Sequence, residues 1–254
     1  MGRRFESCTA HHSSAISPQR GVSPPDGAHR PFCRAQEGIA PRLFGDHAGR
    51  CNQTGRARRI CGPKGGGIMG AFAEIRRAIR EGAYAGPTSG LCPGQLQANI
   101  VILPQDLAED FLAFCLANPR PCPLVGLGEP GDPGLAALGT DLDIRTDVAG
   151  YIVYRDGVAS EEHTDIAALW QPDFVTFALG CSFTFENALM AAGIGLRHVE
   201  AQTTVPMYRT NVATVPNAVF GSDLVVSMRP IPEGRVAEVS EICARYPFAH
   251  GAPV

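Results

Sequence analysis

Lysine is almost absent from this 254-residue chain: every basic side chain but Lys64 is an arginine. There is one tryptophan, and charged residues make up only 19% of the sequence. No apolar run approaches the ~20 residues of a membrane-spanning helix. No signal-peptide pattern precedes the organised part, so a cytoplasmic protein without a membrane partner is expected. After Met69 there is no Cys-x-x-Cys, His-x-x-x-His or His-Glu-x-x-His. Those spacings bring ligands together on one turn or helix face, and without them neither a metal site nor a cofactor is expected. Cysteines 92, 115, 122, 181 and 243 are odd in number and mostly sit in apolar runs. Reduced thiols fit that pattern better than a disulfide framework.

Charge is unevenly spread. Residues 1–68 hold half of the 22 Lys+Arg but only 4 of the 25 Asp+Glu, together with 11 glycines and 6 prolines. They show no apolar period of 2 or 3.6, so this arm is expected to be unstructured. A basic nucleic-acid tail, an Arg- and Ser-rich transit peptide and an upstream extension before a true start at Met69 are its three readings. The last is favoured, and no nucleic-acid partner is expected, because organised sequence begins at that methionine behind "KGGG".

From there strands and helices alternate. "AFAEIRRAIREG" places Phe72, Ile75 and Ile79 on one helical face and Gly82 at the C-terminal cap. "LQANIVILP", "QDLAEDFLAFCLANP" and "CPLVGL" read as strand, helix and strand, a βαβ crossover. "YIVYRDGVA" reads as a hairpin. "FVTFALG", "FENALMAAG" and "IGLRHVEA" repeat the strand–helix–strand order, and "DLVVSMRP" with "EGRVAEVSEICARY" adds a strand and a helix. The expected architecture is α/β, a mixed sheet with flanking helices, with two subdomains as an open alternative.

Several stretches invite chemistry. "GLGEPG" satisfies G-x-G-x-x-G, but Pro130 and Pro133 crowd the place where a helix should open, so a plain loop is expected. "GCSFT" lacks the second glycine of a nucleophile elbow. "GCSFTFE", residues 180–186, is better placed, at the carboxyl end of one predicted strand and the start of a helix. Open α/β sheets bind ligands there, and free N–H groups attract anions. The bland reading is equally physical: Ser182 or Thr184 caps the helix, Glu186 complements its dipole, and Cys181 is a small buried residue. Arg145 and Asp147 in "DIRTD", Arg197 and His198 in "LRHVE", Tyr208, Arg209 and Asn211 in "VPMYRTN", and Arg229 in "SMRP" complete the candidates. Arginines at strand ends can grip carboxylates bidentately.

Taken in order, "GPTSG", "GQLQANIVILP", "FCLANPRPCPL", "EPGDP", "DIRTD", "YRDG", "GCSFTFE", "RHVE", "VPMYRTN", "VVSMRP" and "HGAPV" resemble the D-glutamate cyclase family, bacterial hydro-lyase branch. The resemblance runs from about Met69 to Val254. It implies a lyase acting on a small carboxylate, in the cyclase case converting D-glutamate to 5-oxo-D-proline and water. Family members continue past "HGAPV", so the chain reads as C-terminally shortened, with a non-catalytic carboxylate binder as the alternative; a homo-oligomer is compatible with either. Within the resemblance, Glu186 and His198 are the candidate acid and base, and the N–H groups around Cys181 and Ser182 the oxyanion donors. Arg145, Asp147, Arg197, Tyr208, Arg209 and Asn211 are the candidate substrate contacts.

Overall fold

The computed structural model describes residues 5–11, 38–41, 68–86, 88, 91–155, 158–201 and 203–254. Two strands come from the N-terminal arm, β1 (Phe5–His11) and β2 (Gly38–Pro41). The rest of that arm, and with it the expectation that it is unstructured, lies outside the described residues.

Helix α1 (Ile68–Arg80) ends as its sequence predicts. Gly82 adopts φ 65°, and its N–H donates to the Ile79 carbonyl. There follow β3 (Ala98–Pro104), α2 (Gln105–Ala117), β4 (Leu124–Leu127), β5 (Tyr151–Arg155) and β6 (Val158–His163). The chain continues with β7 (Phe174–Gly180), α3 (Phe183–Ala191), α4 (Arg197–Glu200), β8 (Met207–Ala213), β9 (Asp223–Pro230) and α5 (Val236–Ala244). A six-stranded sheet has the order β4-β7-β3-β2-β5-β6, and a three-stranded sheet the order β1-β9-β8.

All seven residues of β7 are buried, because both its edges and both its faces are covered. Val175, Phe177 and Leu179 point to one side, where they meet Phe111, Phe114 and Cys115 of α2. Phe174 and Ala178 point to the other, against Ile100, Ile102, Tyr151 and Ile166. The alternation follows from the two-residue period of a strand. Burying such a side chain contributes about 1.5–3 kcal/mol, so this strand anchors the sheet.

Helices and sheets combine as expected, but every described strand pair is antiparallel. The βαβ crossover is split: β3 and β4 run parallel, yet β7 lies between them and is antiparallel to both. The second predicted strand–helix–strand fails at its end, since "RHVE" forms the short helix α4. Leu196 and Ile194 instead join a third core with Phe185, Leu189, Val239 and Ile242, which packs α3 against α5. "GLGEPG" begins inside β4, where Gly126 and Leu127 pair with β7, and only its last four residues form the expected loop, held where the Gly131 N–H donates to the Phe174 carbonyl.

Candidate functional site

The turn between β7 and α3 is built by close approach. A Cβ on Gly180 would stand 1.6 Å from the Phe248 carbonyl oxygen, so the C-terminal segment packs directly on glycine backbone. One residue on, the Cys181 N–H donates to the Gln97 carbonyl at 2.9 Å. In return the Gln97 N–H donates to Thr184 Oγ1 at 3.0 Å. The turn is thereby tied to the residue preceding β3.

The hydroxyls do not cap the helix. Ser182 occupies the N-cap position without a side-chain capping bond, and its Oγ accepts from Arg229 at 3.0 Å instead. Glu186 does not lie on the helix surface as a partner for the dipole; it is fully buried. Its Oε1 is 2.9 Å from His198 Nε2 and accepts from Arg229 Nε at 3.2 Å and from the Arg229 terminal nitrogen at 2.5 Å. Arg229 also donates to Ser227 Oγ at 2.9 Å and lies over the Phe185 ring. Burial opposes ionisation of Glu186, but the His198 hydrogen bond and the Arg229 charge outweigh it and hold the carboxyl down at about 2. An ionised carboxylate only accepts, so His198 Nε2 carries the proton between them.

Cys181 behaves differently. Burial pushes its thiol up to about 11, against the Phe183 N–H that the sulfur accepts. It is a neutral thiol at physiological pH, and thiolate chemistry is not what this turn prepares.

A cavity of about 310 Å³ adjoins the turn. Cys181 and Phe183 line one part of it; Gln97, Asn99 and Thr88 line another; Arg76 and Asp147 form a charged wall. The Asp147 side chain is 1% exposed and accepts from Arg76 at 2.9 Å, from Arg80 Nε and one Arg80 terminal nitrogen, and from the Asp143 N–H. Burial works against its charge, but these donors keep its carboxyl below the ordinary range. Arg76 reaches Asp141 as well, at 3.0 Å.

The sequence candidates thus separate. Glu186, His198 and Ser182 meet in one buried cluster, and Cys181 and Asp147 line the cavity beside it. Arg145 is turned to Asp143, 2.7 Å away. Arg197, Tyr208, Arg209 and Asn211 are exposed, the last three on the outer strand β8. Four contributors had no place among the candidates: Arg76, Thr88, Gln97 and Asn99. The signal for three of them was present in "GPTSG" and "GQLQAN", which no isolated residue rule connects to one space. Among the described residues no group of three His, Cys, Asp or Glu could hold a metal ion, and no helix is long and apolar enough to cross a membrane.

The D-glutamate cyclase profile matches residues 175–254, the stretch that runs from β7 through the buried cluster to the C-terminal contact on Gly180. A protein of Jannaschia sp. (strain CCS1) named "Putative hydro-lyase" is 57% identical over 182 residues, covering 72% of this chain and 68% of that relative. The chain belongs to the D-glutamate cyclase family. A second relative of the same name, from Azorhizobium caulinodans, is 53% identical over 190 residues, 75% of this chain and 70% of its own. A third, from Ruegeria pomeroyi, is 55% identical over 184 residues, 72% and 67%. In this member of the D-glutamate cyclase family the buried Glu186–His198–Arg229 cluster braces a turn whose other side, Cys181, faces the cavity.

Proposed function

We propose that this chain is a hydro-lyase for a small carboxylate, and that its reaction is closure of D-glutamate to 5-oxo-D-proline. The observation that carries the reading is the cavity itself. Two well-separated family segments, "GPTSG…GQLQAN" and "GCSFTFE", supply Thr88, Gln97, Asn99 and Cys181 to one cavity. The names of the relatives support the reaction class.

In the cyclisation the substrate's amine nitrogen attacks its own side-chain carboxyl carbon. A C–N bond forms, a C–O bond breaks, and the departing oxygen leaves as water with protons given up by the ammonium. No oxidation state changes, so the scheme calls for no redox cofactor. Intramolecular attack at good geometry reaches effective molarities of ~10^5–10^8 M, so holding the chain folded is most of the task. In this reading Glu186, already engaged by a guanidinium and an imidazole, fixes the turn rather than taking a proton. Cys181 stays neutral and can pass a proton as an acid.

A second reading, a carboxylate binder without turnover, is favoured by one observation. Asp147, a carboxylate on the cavity wall, is already committed to Arg76 and Arg80 and is a weak base. Incubating the full chain with D-glutamate and related acids and following loss of one water by mass spectrometry separates the two. Dehydrated product supports the lyase; binding without product supports the binder; neither overturns both.

A further inference from the structure

Gln97 is pinned at the cavity more firmly than a solvent-facing glutamine requires. Its carbonyl accepts from the Cys181 N–H and from Thr184 Oγ1, and its own N–H donates to the same Thr184 hydroxyl. Its side-chain Oε1 accepts from Thr88 Oγ1 at 2.8 Å. The residue is only 9% exposed, and its Nε2 is closed to water with no acceptor among the described residues. A buried amide N–H left unmet is costly, and few persist in folded proteins without a purpose. The terminal amide torsion is broad and soft, so a small turn brings that N–H to the cavity the side chain already lines.

We propose that Gln97 is the residue that reads the ligand's carboxylate, its Nε2 donating to a carboxylate oxygen seated in the cavity. This rests on the carboxylate reading above and adds the group that recognises it. The residue that carries that donor is tied to the Cys181 turn through its backbone. Where the bound carboxyl is the one attacked, the same N–H faces the oxygen on which negative charge develops, as side-chain amides do in oxyanion sites.

Binding can be measured without turnover, which keeps this inference distinct from the reaction. Glutarate, a five-carbon dicarboxylate with no amine to cyclise, and its neutral diamide are titrated calorimetrically into the full chain and into Gln97→Glu. This substitution keeps shape but replaces the donor by an acceptor. The wild type binds glutarate in preference to the diamide. Gln97→Glu weakens glutarate by about tenfold or more and binds the diamide more tightly than the wild type does. A merely structural glutamine would lose both ligands together. That result overturns the proposal, as would unchanged glutarate affinity in the variant or no glutarate binding to the wild type. A wild type that binds glutarate with the predicted inversion but releases no water from D-glutamate refutes the reaction alone.

Discussion

Arg229 lies under Glu186 with its terminal nitrogen 2.5 Å from Oε1, at a depth where the two side chains are 1% and 0% exposed. The contact joins α3, which starts at the turn beside the cavity, to β9 of the three-stranded sheet. Ser182 accepts from that same terminal nitrogen, and Ser227 from the other one. Two sheets are therefore fastened at the point where the family segments converge.

Breaking that contact from one side should be severe. Arg229→Met strips the guanidinium from the buried Glu186 carboxylate, and loss of one member of a buried pair costs about 3–5 kcal/mol. Urea unfolding should show that loss. Replacing both members, Arg229→Met with Glu186→Leu, should recover part of it, because no charge is then left uncompensated.

Two buried groups give stability in different pH windows. His250 is pushed down to about 4 by burial, while its Nδ1–H donates to the Arg120 carbonyl at 2.8 Å. Between about 4 and the unfolded value of 6.5 the unfolded chain holds more protons, so stability rises with pH. The contribution, about 3 kcal/mol, is complete above 6.5 and lost as pH falls through 4. Glu186, lowered from 4.5 to about 2, adds stability that is present above 4.5 and lost as pH falls through 2. His250 has φ 77°, a conformation asparagine tolerates. His250→Asn should therefore flatten only the upper window in unfolding free energies measured from pH 4 to 7.

The thiols make a separate test of the chemistry. Cys92, Cys115, Cys122, Cys181 and Cys243 are all buried, and burial raises Cys181 to about 11. Iodoacetamide at pH 8 should leave these five unmodified in the native protein and label them after denaturation, as read by peptide mass spectrometry. Rapid native labelling of Cys181 would restore it as a nucleophile.

The chain's legibility differed by interaction type. The apolar run of β7 and the helical faces of α1, α2 and α5 announce themselves, because burial of a face imposes its period on the sequence. Pairing order does not, since "FVTFALG" looks the same whether its neighbours run parallel or antiparallel to it. Glu186 and His198 could be picked out as chemically interesting, but their partner was one more arginine in an arginine-rich chain. Nothing local marks Arg229 as the buried one. Gln97 was harder still: its meaning lies in bonds to Thr184 and Cys181, more than 80 residues away.

Glycine at 180 should prove irreplaceable for a reason different from glycine at 82. Gly82 has φ 65° with no atom near its missing Cβ, so Gly82→Ala carries backbone strain alone. At Gly180 the Cβ would overlap the Phe248 carbonyl, a backbone atom that cannot rotate away. Gly180→Ala must push residues 247–250 off the end of β7. That movement disturbs the His250 bond to Arg120 and the turn that carries Cys181 to the cavity. Gly82→Ala is expected to cost about 1 kcal/mol, and Gly180→Ala about 3 kcal/mol or more, with overpacking added to displaced contacts. Thermal unfolding of the two variants side by side checks the order. The reverse ranking would mean that the C-terminal segment does not rest on β7.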